Sequence, residues 1–255
     1  MTRDARLTVV GEVVNLGRMD VPVRGSTRDE KQAARTEHRR QRQRAAHAVN
    51  LRAAGVDERR QGGGTMLTEG AVVINGARRR SDYELYDQDS RAIGAAVRLP
   101  QDPTAGCRAR YEFRDPGGRS LFGVQLRVGG ADLIVESDGT LLARLERSWD
   151  GRPASDSNWV VRQIQRTGLA PRWVVADGEV IGRLTFPRQK PRWKLESPRR
   201  IVEDHSGSES AVVTSFELGG AATFVVDVRE TAERRLRVIA LVTGVVWDWR
   251  EGRGP

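Results

Sequence analysis

Short runs in which apolar and polar residues alternate make up the chain from about Leu67 onward. Val124, Leu126 and Val128 fall on one side of such a run, with Gln125 on the other. A later run places Phe224, Val226 and Val228 on one side, and the opposite side carries Thr223, Val225, Asp227 and Arg229. A side-chain period of two with one apolar side predicts antiparallel strands that bury one face and leave the other in solvent.

Four segments repeat a scheme of strand, turn and strand. Each has an aromatic or aliphatic first strand, a turn rich in Asp and Gly, and an aliphatic second strand; they span residues 83–94, 111–123, 133–144 and 173–183. Asp-Gly turns suit the right-handed twist of a hairpin. Successive hairpins with one buried face can close into a barrel, which removes exposed sheet edges. The sequence therefore predicts a mainly β protein with a closed antiparallel β-barrel.

The C-terminal segment from Leu236 to Trp247 is apolar on every side. It is too short to cross a bilayer, which needs about 20 apolar residues, so the rest of the protein must enclose it. Its β-branched residues also suit a strand. We favour a helix over about 232–250, because no turn signal interrupts the run and Thr231 can act as an N-cap.

The first 65 residues differ from the rest and form a basic arm. They contain 14 Lys+Arg and 8 Asp+Glu, a net charge of +6 out of +9 for the whole chain. Residues 26–61 contain no Phe, Tyr, Trp, Ile or Met. The arm is expected either to be disordered or to form a solvated helix from Thr27 to about Ala54. Translation from Met66 would remove the arm, and residues 66–250 would then form the compact domain.

The charge and the scarcity of reactive residues limit the classes of function. A net charge of +9 favours acidic partners, although an Arg-rich composition by itself gives the same charge. The single cysteine, Cys107, excludes an internal disulfide and a cysteine-built zinc site. His205 lies in a Glu-Asp-His-Ser segment that we interpret as a polar turn, because consecutive loop residues do not present the geometry of a triad. We expect no enzyme activity, no catalytic residues, no metal site and no cofactor.

The sequence also bears on where the protein acts. The N-terminus has no apolar leader, and no segment is long enough to span a membrane. We therefore expect a cytoplasmic protein, with peripheral attachment to a membrane as an extension of that location.

A basic ridge is the main candidate binding surface. If residues 188–195 form a strand, four cations project from one face: Arg188, Lys190, Arg192 and Lys194. Pro191 cannot donate to a ladder and places that strand at an edge or bulge. Arg199 and Arg200 follow and extend the predicted site. Such a ridge can hold phosphate oxygens, with Arg making bidentate contacts, or it can serve solubility alone.

The order of hairpins and closing helix resembles the phospholipid scramblase and LURP-one-related family. The residues that carry this resemblance are Tyr83–Gly94, Tyr111–Phe122, Trp173–Leu184 and Leu236–Asp248, within about 67–250. The resemblance implies the tubby C-terminal-like fold, a barrel of about 12 strands wrapped around a C-terminal helix. It also implies a phosphoinositide or another phospholipid headgroup as ligand.

We therefore expect a non-enzymatic barrel that binds an anionic ligand, such as a phospholipid headgroup on a membrane surface, through its basic outer strand. One alternative is a nucleic-acid-associated protein that acts through Arg39, Arg40, Arg42 and Arg44. The arm has no aromatic residue to stack on bases, so this alternative predicts contacts with phosphates only. A further alternative is a partner-binding structural domain without a small ligand.

Overall fold

The computed structural model describes residues 7–9, 12–14, 27–56, 64–76, 82–100, 107–127, 131–146, 172–185, 197–218 and 221–250. The described residues include two helices, α1 (Arg28–Ala54) and α2 (Arg234–Arg250). The strands, in chain order, are β1 (Leu7–Val9), β2 (Glu12–Val14), β3 (Ala71–Gly76), β4 (Tyr83–Tyr86), β5 (Ala92–Leu99), β6 (Cys107–Arg114), β7 (Ser120–Arg127), β8 (Asp132–Glu136), β9 (Leu141–Glu146), β10 (Arg172–Ala176), β11 (Glu179–Thr185), β12 (Arg199–Asp204), β13 (Glu209–Leu218) and β14 (Ala221–Val228).

Strands β3 to β14 form a closed antiparallel barrel of twelve strands. Each strand pairs with its neighbours in sequence, and β14 pairs with β3 to close the cylinder. β1 and β2 form a separate two-stranded sheet. The predicted fold class, a barrel of about 12 strands with a C-terminal helix, is confirmed.

Four of the hairpin turns share one backbone design. In each, the first residue donates its N–H to the carbonyl four positions later, and the fourth residue donates back to the first; the first residues are Asp87, Asp115, Glu136 and Asp204. The fourth residue has a positive φ in every case and is Ser90, Gly118, Gly139 or Gly207. Glycine adopts this left-handed conformation without steric cost. Ser90, with φ of 60°, is the exception.

Helix α2 supplies the core inside the barrel. Its central residues are buried, and Ile239 is fully buried within the same apolar cluster as the inward side chains of the strands. A Cβ on Gly244 would lie 3.1 Å from Cδ1 of Ile74 and 3.4 Å from Cβ of Phe224, so this glycine lets the helix approach β3 and β14 closely. The helix begins at Arg234, two residues after the predicted start, and its predicted end at 250 is confirmed.

A second, smaller core lies outside the barrel under α1. Leu51 and Val56 pack there against Ala71, Val73 and Val225, which face outward from β3 and β14. The prediction that Val225 lies on a solvated face is therefore wrong, because α1 covers that part of the sheet. The helix expected from Thr27 to about Ala54 is present as Arg28–Ala54, but its C-terminal half packs on the barrel and is not solvated as expected.

Met66 has 2% of its surface exposed and belongs to the inner core. A start of translation at this residue stays a prediction. Within the part of the chain that the structure describes, neither helix is long and apolar enough to cross a membrane.

Candidate functional site

Capping residues at both ends of α1 fix where the helix begins and ends. At its start, Thr27 Oγ1 accepts a hydrogen bond from the Glu30 N–H at 3.3 Å, and Glu30 Oε2 accepts from the Thr27 N–H at 2.8 Å. This reciprocal capping box satisfies two N–H groups that have no intrahelical partner. At its end, Gly55 has φ of 83° and donates to the Arg52 carbonyl, a common C-terminal cap. The 27 residues between these caps extend over about 40 Å.

Five cations form a stripe along the first half of α1. They are Arg28, Lys31, Arg35, Arg39 and Arg42, which we call the cationic stripe. Their spacings of three and four residues place them within an arc of about 80° on the helix surface. All five are exposed, and none forms an ion pair with another described residue.

The carboxylates of α1 lie away from the cationic stripe. The helix has eight Lys+Arg and three Asp+Glu, a net charge of +5. Asp29, Glu30 and Glu37 are separated from the nearest edge of the stripe by about 80° or more. Within the described part of the chain, no carboxylate of α1 pairs with the cationic stripe, which therefore presents a face of positive charge.

The structure places the four predicted nucleic-acid contacts on two sides of the helix. Arg39 and Arg42 belong to the cationic stripe, whereas Arg40 and Arg44 lie about 100° or more beyond its edge. All four side chains are exposed. The cluster that is compact in sequence is therefore divided in space.

The C-terminal half of α1 holds the helix to the barrel. His47, Asn50 and Leu51 are its buried residues. Leu51 rests on the apolar patch of β3 and β14, whereas His47 makes polar contacts. We call this set of three residues the docking contact. Its spacing of i, i+3 and i+4 puts all three side chains on one face of the helix.

Both ring nitrogens of His47 are hydrogen-bonded. The Asn75 amide nitrogen lies 2.8 Å from Nε2, and Ser90 Oγ lies 3.0 Å from Nδ1. With the Asn75 amide donating to Nε2, the imidazole proton is on Nδ1 and is donated to Ser90. The ring also lies 4.9 Å from the ring of Tyr86, centroid to centroid. In the neutral imidazole, both ring nitrogens therefore have a hydrogen-bond partner.

Burial determines the protonation states of the His47 and Tyr86 side chains. It lowers the pKa of His47 to about 4, because a charged imidazolium is poorly solvated there. Burial, with the hydroxyl bonded to Glu84, also raises the pKa of Tyr86 to about 12. At neutral pH both rings are uncharged.

A cavity of about 190 Å³ lies beside the docking contact. It is lined by Gln43, Ala46, His47, Asn50, Asn75, Gly76 and Thr223. Asn75 and Thr223 are direct cross-strand partners on β3 and β14. Asn50 Nδ2 and Asn75 Oδ1 have no hydrogen-bond partner among the described residues. With His47 neutral, the lining has no formal charge, so the attraction for anions belongs to the cationic stripe.

Most of the predicted ridge, residues 188–194, lies outside the described residues. Arg199 is exposed at the start of β12. Arg200 is 6% exposed, and its guanidinium carbon lies 4.0 Å from the centroid of the Trp247 ring inside the barrel. Neighbouring strand residues point to opposite faces, so Arg200 does not extend the outer face on which Arg199 lies.

The predicted polar turn around His205 is a hairpin turn in which Asp204 Oδ1 accepts from the N–H groups of Ser206 and Ser208. His205 itself is exposed. Cys107 is half-buried, with its Sγ 3.7 Å from Gln125 Oε1. Among the described residues, no group of three or more His, Cys, Asp or Glu side chains is arranged to hold a metal.

Sequence reasoning missed the docking contact. One signal was the helical spacing of His47, Asn50 and Leu51. The other was the apolar run of residues 71–74, which makes β3 apolar on both faces. A strand that is buried on both sides reads as a continuous apolar run.

No family model matches the chain, and no curated protein matches it. Among solved structures, the chain is similar to an X-ray structure of a protein from Arabidopsis thaliana, at 12% sequence identity and a TM-score of 0.41. The match covers 74% of this chain and 99% of that chain. That protein is LURP-one-like. The barrel is established here by the closed pairing of its own strands.

Proposed function

We propose that this protein binds a phosphate-bearing polyanion through the cationic stripe and that it catalyses no reaction. The observation that carries the proposal is the row of five exposed cations, none of them paired with a described carboxylate, on one side of a helix that packs on the barrel. Four of the five are Arg, which makes bidentate contacts with phosphate oxygens. The docking contact lies in the other half of α1 and leaves the row accessible.

A helix fixed at one end favours binding because fewer degrees of freedom are lost when a ligand is engaged. The capping box and Gly55 stabilise the helix before any ligand arrives. The charges on α1 are therefore organised in advance, whereas the same residues in a disordered arm would have to be ordered at the moment of binding.

A more specific proposal follows from the resemblance to scramblase and LURP-one-related proteins. In this version the anion is a phospholipid headgroup, the contacts include Arg199 with the predicted ridge, and the protein attaches peripherally to an anionic membrane. The exposure of Arg199 is the observation that favours it. Anionic vesicles are therefore included among the probes described below.

The test is a calorimetric titration of the full chain with inorganic polyphosphate, at low and at physiological salt. Substituting Arg28, Lys31, Arg35 and Arg42 by Gln is expected to weaken binding at low salt by tenfold or more, because each cation near an anionic surface contributes about 1 kcal/mol. Gln keeps a good helix propensity. Equal affinity of the variant and the wild type, or an affinity that does not change with salt, would remove the proposal.

A further inference from the structure

We infer that the polyanion is duplex nucleic acid, gripped along one phosphate backbone by the cationic stripe without reading the base sequence. This inference rests on the proposed function and names the partner of the same site. The cations of the stripe follow a straight row instead of surrounding a point, which suits an extended array of charges better than a single headgroup.

The dimensions of the row agree with this partner. From Arg28 to Arg42 the helix advances about 21 Å at 1.5 Å per residue. Each strand of a duplex has one phosphate per 3.4 Å of axis, so a row of this length lies beside several successive phosphates. An α-helix also fits the major groove, which is about 12 Å wide. One long face of α1 can therefore lie along the edge of a groove.

The stripe consists of Arg and Lys alone, which contact phosphates and can also contact the edge of guanine. No other residue between Arg28 and Arg42 falls within its arc, so the arc contains no Asn or Gln to read adenine, and Gln32 lies about 20° beyond its edge. Contacts with phosphate position a protein on the duplex but carry no sequence information directly. With all five cations on phosphates, binding through this face is expected to be independent of sequence.

Two features of α1 favour a duplex over the other common polyanions. A helix that lies in a membrane interface buries an apolar face, but the only apolar residues between 27 and 42 are Ala33 and Ala34. Proteins that bind single strands stack bases on aromatic side chains, and α1 has no Phe, Tyr or Trp. A duplex needs neither an apolar face nor a stacking platform.

The test is fluorescence anisotropy of the full chain with a duplex of about 20 base pairs across a salt series. Five phosphate contacts predict a slope of about −4.5 for the logarithm of the binding constant against the logarithm of salt concentration. A duplex of the same length and a different sequence is expected to bind equally. A single strand of the same length, and vesicles of phosphatidylcholine with phosphatidylserine, are expected to bind more weakly at the same phosphate concentration.

Two variants with equal net charge separate the stripe from general basicity. The double variant Arg35→Gln and Arg42→Gln is expected to reduce the slope to about −2.7. The matched variant Arg40→Gln and Arg44→Gln loses the same charge on the other side of α1, and its slope is expected to stay near the wild-type value. Circular dichroism of both variants checks that the helix is retained.

Equal changes of slope in the two variants would overturn the inference, because net charge alone would then explain binding. Tighter binding of the single strand or of the vesicles would also overturn it. If the stripe binds polyphosphate or vesicles but not the duplex, the inference fails and the proposed function stands. If none of these probes binds, both fail together.

Discussion

The two helices in the part of the chain that the structure describes are held in place by different contacts. Helix α2 is enclosed by twelve strands and fixed by apolar packing on every side, while α1 lies outside and contacts the barrel through a small apolar patch and a hydrogen-bonded histidine. The inner helix contributes to the stability of the whole barrel. The outer helix depends on a few contacts that can be altered without opening the barrel, which leaves its cations available to a partner.

The largest effect is expected inside the barrel. Ile239→Ala should lower the free energy of unfolding by about 4 kcal/mol, because it removes a fully buried side chain and leaves a cavity that the closed barrel cannot fill by moving. Urea unfolding followed by tryptophan fluorescence measures the change. Val180→Ala is the control. Val180 is exposed on β11, and its truncation should change the free energy of unfolding by less than about 0.5 kcal/mol. A loss below about 1 kcal/mol for Ile239→Ala would contradict the enclosed helix.

The docking of α1 is expected to weaken in acid. When α1 is docked, His47 has a pKa of about 4, below its ordinary value of 6.5. The contribution of His47 to the free energy of docking is therefore complete above pH 6.5 and is lost as the pH falls towards 4. From this difference in pKa, the linkage relation gives a loss of about 3 kcal/mol in the free energy of docking. Tyr86 stays protonated throughout this range, because its pKa is about 12.

Hydrogen exchange of the α1 amides between pH 7 and pH 4, corrected for the intrinsic rates, measures this effect. His47→Asn is the comparison, because it cannot take up the proton. The lowered pKa values of Glu112 and Asp204 also make the barrel less stable in acid, so the relevant quantity is the difference between wild type and variant. Identical pH dependence in the two proteins would show that His47 is not held neutral by docking.

A smaller effect is expected at the apolar part of the docking contact. Leu51→Ala should weaken α1 docking by about 2 kcal/mol, since the side chain is buried against Val73 and Val225 but lies at an edge. Amide exchange should become faster in α1 and stay unchanged in α2. Equal acceleration in both helices would mean that the outer helix and the barrel unfold as one unit.

The smallest effect concerns Ser90, which occupies a left-handed position that glycine takes in the three equivalent turns. Ser90→Ala and Ser90→Gly both remove the hydrogen-bond partner of His47, but only glycine also relieves the backbone strain. We expect Ser90→Gly to be more stable than Ser90→Ala by about 1 kcal/mol. Thermal unfolding of the two variants compares them, and equal stabilities would show that the turn is unstrained.

The sequence allowed the barrel to be predicted because its signals are local. Alternation identifies each strand, the Asp and Gly turns fix each hairpin, and an apolar run without a polar face must be enclosed. The predicted start of α2 was less accurate. Thr231 is of a residue type common at N-caps, but the helix begins at Arg234, after a turn in which the Ala232 N–H donates to the Arg229 carbonyl.

The candidate site was harder to predict, because it depends on contacts between distant segments. The cations at 39, 40, 42 and 44 are adjacent in sequence, yet only the helical period shows which of them share a face. The pairing of His47 with Asn75 and Ser90 joins α1 to two separate parts of the barrel. Nothing local in the sequence indicates such a contact, and the environment of Arg200 over Trp247 likewise depends on closure of the barrel.

The most direct test of the central claim is hydrogen exchange across the full chain, with and without a saturating concentration of the duplex. The duplex is expected to slow exchange in the first half of α1, over 28–42, and to change exchange little in α2 or in the strands. Protection confined to residues 186–200, with α1 unchanged, would contradict this expectation and would return the binding site to the basic ridge.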